Sequence, residues 1–380
     1  MIAASPRYPA LDLMRGFSAL TILVFHVIAM SGWDDFPTNG PLVWFRISFL
    51  RVDLFFVLSG FVITLAALRE QQAGGAARSR FLAKRIVRLA PAYFVAAIAW
   101  LWLNDFAVLR QGDAWTQVFT HLTFTYALFP GTISSINGVT WTLGVEMQLY
   151  ALMALAMPLL TRWRMLPTLL VVLLVALAYR LAMQAWTLDA AGTGAVDTAL
   201  LWYRMVQAPG MLDVFGAGVA LALLASRRPL RPLTRVRWLI GIGVILIWSS
   251  AWISLLWTHV AGYWQSYFWA SLFRTVVALT VLGWLWLMLV MPPRWAECLP
   301  AWLRFPGKIS YGLFLWHVPV TQWLLAQTDW REWSLLAASI LATGVVATLS
   351  WYGIESPTMA WARRRFRRRP DDSAAAPRAA

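Results

Sequence analysis

The chain of 380 residues is 60% hydrophobic, holds 25 Trp and 20 Phe, and has a formal net charge of +15. With a mean hydropathy of +0.62, that apolar content excludes an ordinary soluble domain built around one core. The single cysteine, Cys298, excludes a disulfide framework.

Apolar runs recur at 11–31, 48–68, 86–103, 140–160, 165–183, 205–225, 238–257, 270–291, 308–327 and 333–355. Many approach the ~20 residues that cross a bilayer core. If the N-terminus is cytoplasmic, 25 of the 32 Lys and Arg fall on inner segments, as the positive-inside rule requires. The basic balance is then a topology signal, and no nucleic acid is needed to explain it. The expectation is an all-α polytopic membrane protein of about ten transmembrane helices with both termini cytoplasmic. Residues 1–355 form the membrane domain, and 356–380 a basic, disordered cytoplasmic tail on the inner surface. The first run is interrupted by Arg15 and lacks a small-x-small cleavage site, so it reads as an uncleaved span. No internal repeat is visible, which weighs against folds built from inverted repeats.

Ionisable residues inside spans cost roughly 2.5–3.5 kcal/mol each at mid-helix, so each needs a cavity or a partner. In the first span, Arg15 and His26 are eleven residues apart, which puts them on one face and about 16 Å apart along the axis. Asp12 precedes Arg15 by three residues and joins that face. Arg15 either snorkels to the inner headgroups beside Asp12 or lines a passage; His26 is either a core histidine bonded between helices or a functional one. In RVDLFFVLSGFVIT of the second span, Asp53 either pairs with Arg51 or has a role, and Ser59-Gly60 permits a close helix approach. In RFLAKRIVRLAPAYF, the cluster of Lys84, Arg85 and Arg88 either clamps a phosphorylated ligand or sets topology.

The long segment 104–139 exceeds a simple connector. Trp115, Phe119, Leu122 and Tyr126 follow helical spacing there, so an interfacial or re-entrant helix with these four on one face is expected. In WTLGVEMQLY of the fourth span, Glu146 lies below the outer surface and needs a partner, for which a histidine is suitable. The ninth span opens with KISYGLFLWHVPV, where Ser310 and His317 share a face. His317, near Pro319, either marks an opened backbone or bonds to another helix.

Taken in order, Arg15-x10-His26, VDLFFVLSGF, Arg85-x-x-Arg88, WTLGVEMQLY and ISYGLFLWHVPV resemble the acyltransferase-3 family of integral-membrane O-acyltransferases. The resemblance runs from residue 11 to about 355. It implies a ten-helix domain and transfer of an acyl group, usually acetyl from acetyl-CoA, to a hydroxyl of lipopolysaccharide, peptidoglycan, exopolysaccharide or a small molecule. It further implies that His26 is the catalytic histidine, that Arg85 and Arg88 bind coenzyme A phosphates, and that Arg15 lies on the acyl-CoA path. A bacterial inner membrane follows from the same resemblance.

On this reading acyl-CoA docks at the inner mouth on Arg85, Arg88 and Lys84, and its arm passes Arg15 to reach His26. The acceptor enters from the outer side. His26 acts as general base or is itself acylated. Glu146 is the expected carboxylate that orients it, with Asp53 the second choice. Asp12, Asp53, Ser59, Tyr311 and His317 are expected to support the site, and no metal is called for. Partners are then acyl-CoA, a sugar or glycan, the bilayer and polysaccharide-assembly proteins. A transporter or flippase using the same charges as its path, and a non-enzymatic assembly partner, are the rival readings.

Overall fold

A computed structural model describes residues 9–110, 113–192 and 196–366. Arg7 and the last fourteen residues of the expected tail lie outside them. Each expected span is a helix: α1 (Pro9–Ser31), α2 (Arg51–Gln72), α3 (Ala77–Leu103), α4 (Trp141–Ala156), α5 (Met165–Ala191), α6 (Leu212–Arg227), α7 (Arg235–His259), α8 (Phe273–Leu289), α9 (Ser310–Gln327) and α10 (Glu332–Ser350). Among the described residues there is no strand, and nine helices are long and apolar enough to cross a membrane. The span not among the nine is α9, which carries His317, Pro319 and Thr321. All three are buried in the protein, so this helix need not be apolar enough for lipid.

Glycines set the closest approaches. A Cβ on Gly60 would lie 2.0 Å from the Phe215 carbonyl, and one on Gly218 2.0 Å from the Val57 carbonyl. Helices α2 and α6 therefore meet backbone to backbone, as the Ser59-Gly60 pair foretold. Gly307, in a short helix over Ala301–Lys308, meets Asp12 on α1 in the same way.

Two buried ion pairs lock the bundle. Arg180 of α5 donates to both carboxylate oxygens of Asp213 on α6, at 3.0 and 2.6 Å, and also to the carbonyls of Ser271 and Gly210. Arg274 of α8 donates through Nη2 to Asp53 Oδ1 at 2.9 Å and through Nε to Oδ2 at 3.2 Å. Each neutralises charge that the bilayer interior would penalise.

Three expectations are corrected. Asp53 pairs with Arg274, brought in from 221 residues away, and not with Arg51. The segment after Glu355 is helical over Ser356–Arg365, the part of the expected disordered tail that is described. In the 104–139 segment a helix does form, at Ala114–Leu122, but the four aromatic and aliphatic residues do not share its face. Trp115, Phe119 and Leu122 are exposed, whereas Tyr126 lies beyond the helix, fully buried and donating to the Thr140 carbonyl at 2.7 Å. Helical spacing does not survive the residues at 123–125, where Phe124 takes φ of 59° and turns the chain.

Candidate active site

The polar face of α1 opens onto a cavity of about 290 Å³ between α1, α2, α3, α4 and α9. Arg15, Arg85, Arg88 and Lys308 line it, opposed by Asp12, Glu146 and Glu355. Helix α3 begins nine residues before the expected span, so Arg85 and Arg88 lie within it, one turn apart and facing the interior. Arg15 pairs weakly with Asp12 at 3.7 Å. Among the described residues Arg85 and Arg88 have no carboxylate partner, and the Arg85 Nε is buried without an acceptor. Guanidinium groups left so in a low-dielectric cavity are suited to an anion that arrives with the ligand. Lys84 is committed elsewhere, to Glu70, which also accepts from Arg80. The expected third phosphate ligand is therefore not in the cavity.

Glu146 accepts from Ser59 Oγ and from Tyr150 OH on the same oxygen. It is not bonded to His26. The structure gives that position to His317, whose Nε2 lies 3.2 Å from His26 Nδ1. His317 Nδ1 faces the Leu313 carbonyl at 3.1 Å, an acceptor, so that nitrogen carries the proton and Nε2 offers a lone pair. His26 Nδ1, which also lies 3.0 Å from the Ile22 carbonyl, is then the protonated nitrogen of its ring. This assignment follows from the hydrogen bonds, and it leaves His26 Nε2 as a base.

The backbone near His317 is not open. Pro319 has no N–H to give the Leu315 carbonyl; Asn137 Nδ2 donates to it instead, at 2.9 Å. Asn137 sits at φ 49°, a conformation asparagine tolerates, and so ties the loop before α4 to the helix that carries His317.

His26 lines a second cavity of about 270 Å³. Its walls are aromatic: Phe25, Phe49, Trp141, Trp202, Tyr263 and Trp264, with Arg274 as the charged group. Val52, Thr142 and Phe314 line both cavities, and form the partition between them. Of the expected residues, Asp12, Arg15, Ser59, Arg85, Arg88, Glu146 and Tyr311 thus meet in the charged cavity. His26 and His317 meet beside the aromatic one, and Asp53 reaches it through Arg274. Tyr311 also donates to the Leu89 carbonyl at 2.8 Å, tying α9 to α3 beside Arg88. Sequence reasoning missed the aromatic wall, because 25 tryptophans make no single one conspicuous. It missed Arg274 too, although a lone arginine opposite a lone aspartate in apolar spans was a usable signal.

The described residues thus form a multi-pass helical membrane domain with a cation-lined cavity and a histidine pair beside a second cavity. The family model described as an acyltransferase domain matches residues 8–354. The chain belongs to the acyltransferase-3 family and is a membrane acyltransferase. It is 27% identical over 369 residues to nodulation protein 10 of Rhizobium leguminosarum bv. viciae, covering 92% of each chain. It is 24% identical over 375 residues to the peptidoglycan O-acetyltransferase OatA of Listeria monocytogenes. That match takes in 92% of this chain and 55% of OatA. The O-acetyltransferase OatA of Staphylococcus aureus is 24% identical over 382 residues, with 93% of this chain and 57% of that one covered. The chain therefore spans little more than half the length of these OatA relatives. No solved structure matches it.

Proposed function

We propose that the protein transfers an acetyl group from acetyl-CoA to a hydroxyl of a sugar or glycan, at the inner membrane of a bacterium. The observation that carries this reading is the pair of cavities divided by Val52, Thr142 and Phe314, with unmatched arginines in one and the histidine pair beside the other. Relatives named as O-acetyltransferases support the reaction. The positive-inside bias supports placing the arginine cavity toward the cytoplasm, where acyl-CoA is found.

The phosphates of the donor bind Arg85 and Arg88, and its thin arm runs past Arg15 toward the partition. Arg15 and His26 are about 16 Å apart along α1, a span that suits an extended arm. The acceptor hydroxyl lies in the aromatic cavity against His26. His26 Nε2 takes the hydroxyl proton, the oxygen attacks the thioester carbonyl, the carbon–sulfur bond breaks, and the thiolate leaving group recovers the proton from the imidazolium. His317 accepts from His26 Nδ1 throughout and holds the ring in that tautomer. Exopolysaccharide, lipopolysaccharide and lipid-linked sugars all fit as acceptors, and polysaccharide-assembly proteins as partners. The His26→Ala protein should remain inserted and folded while losing at least ~10²-fold in acetyl transfer, measured with labelled acetyl-CoA and an extracted glycan acceptor. Activity close to wild type would remove His26 from the reaction.

A further inference from the structure

A third cavity, of about 300 Å³, lies between α1, α2, α7, α8 and the short helical turns at Val43–Arg46 and Ser48–Leu50. It is almost wholly apolar, with Phe17, Trp44, Leu50, Trp252 and Trp284 among its walls, yet it contains Arg51. The Arg51 guanidinium stands 5.5 Å from the Phe17 ring centre and 5.1 Å from that of Trp44. Phe17 is eight residues into α1, about 12 Å from its start, so the cation is held well inside the span.

Of the other arginines in spans or folded against them, Arg85 and Arg88 belong to the charged cavity, and several have oxygen acceptors. Arg180 and Arg274 have carboxylates, and Arg46 donates to the Phe36 carbonyl at 3.0 Å. Arg51 has aromatic faces but, among the described residues, no hydrogen-bond acceptor. The fold therefore holds a cation that lacks its anion.

The cavity also faces lipid. Phe17 and Leu246, both in its lining, are 52% and 41% exposed, and exposed apolar side chains on membrane helices meet hydrocarbon. It adjoins the aromatic cavity as well: Leu50 lines both, and Phe49, two residues before Arg51, packs on Phe25 beside His26. The lipid-facing wall, the arginine and the histidine that bounds the aromatic cavity thus lie in adjoining spaces.

We propose that this cavity binds a phosphate ester on a long hydrocarbon chain, and that the phosphate is the one linking the acceptor sugar to its lipid carrier. Arg51 grips the phosphate in bidentate fashion, the chain lies along the apolar walls and out toward the bilayer, and the sugar reaches into the aromatic cavity at His26. The acceptor is then a lipid-linked sugar phosphate rather than a finished, water-soluble glycan. This rests on the acyltransferase reading for the sugar, but not for the lipid phosphate.

The test is native mass spectrometry of the purified, delipidated full chain with polyprenyl monophosphate, uncharged polyprenol and phosphatidylglycerol. Polyprenyl phosphate should bind at least ~10-fold more tightly than uncharged polyprenol, the scale of one charge-assisted contact, and more tightly than phosphatidylglycerol. Arg51→Gln should abolish that preference, and Arg51→Lys should keep most of it. Ser249→Phe, which crowds the cavity and leaves the cation intact, should weaken all chain-bearing ligands together, and it serves if Arg51→Gln does not fold. Equal binding of phosphatidylglycerol would show a bilayer-lipid site and overturn the proposal, as would an Arg51→Gln protein that binds like wild type. His26→Ala should bind polyprenyl phosphate normally. If acetyl transfer proves absent while the phosphate preference holds, the acyltransferase reading falls and the lipid site stands; normal transfer without preference sinks the lipid site alone.

Discussion

The two cavities on either side of Val52, Thr142 and Phe314 are nearly equal in size, share aromatic walls and differ in charge. One holds four cations and three carboxylates; the other holds one arginine that is already paired, with the His26 ring at its wall. Charges placed in a low-dielectric interior are worth most against an ionic ligand, whereas broad, rigid aromatic faces suit an apolar sugar face with few polar contacts. Under the proposed function, the contrast has donor and acceptor recognised by different physics, in separate rooms, with only the partition and the histidine pair serving both.

The strongest challenge to that division is at the histidines. His317→Phe removes the acceptor of the His26 Nδ1 proton, and should lower kcat by about 10²-fold while leaving the KM of both substrates near wild type. Steady-state kinetics on purified protein would check it, and a change confined to KM would mean that His317 only shapes the cavity. The partition is the next point of attack. Phe314 stands with its ring centre 5.8 Å from that of His317 and 6.1 Å from that of Phe55. Phe314→Trp should thicken the wall and slow transfer by roughly 10-fold, the scale of a sub-ångström misplacement of reacting groups. Donor binding, read by isothermal calorimetry, should be unchanged; unaltered turnover would show that the arm reaches His26 another way.

A smaller effect should touch the aromatic side alone. His121 is buried, within 2.5 Å of Tyr93 OH and stacked on Tyr126, which anchors the Thr140 carbonyl just before α4. Burial pushes this histidine down to about 4, below the ~6.5 of an exposed imidazole. The unfolded chain therefore binds the extra proton first, so stability is full above pH ~6.5 and declines as pH falls toward about 4. Thermal melts across that range should show the slope, and His121→Phe should flatten it.

Much of this was legible in the sequence, for identifiable reasons. Span positions follow from hydropathy, and the face shared by Asp12 and Arg15 follows from helical spacing, because both are local properties. The Arg85–Arg88 pair was visible as a motif, and its place in a cavity depended only on α3 starting early. Contacts between distant spans were not legible. His26 and His317 are 291 residues apart and Asp53 and Arg274 are 221 apart, and periodicity in one helix says nothing about which face of another it meets. Glu146 was assigned to His26 on depth alone; depth places groups in one layer without deciding neighbours, and Ser59 and Tyr150 proved to be nearer.

The central claim is the separation of donor from acceptor, and one pair of variants tests it directly. With purified protein in lipid nanodiscs, KM would be measured for acetyl-CoA and for a glycan acceptor in Arg85→Ala/Arg88→Ala and in Trp141→Ala/Trp264→Ala. The account predicts a rise of at least ~10-fold in the acetyl-CoA KM for the first variant, the loss of charge-assisted phosphate contacts, with the acceptor KM unchanged. It predicts the reverse for the second. If both variants raise the KM of the same substrate, the two cavities do not divide the reaction as described here.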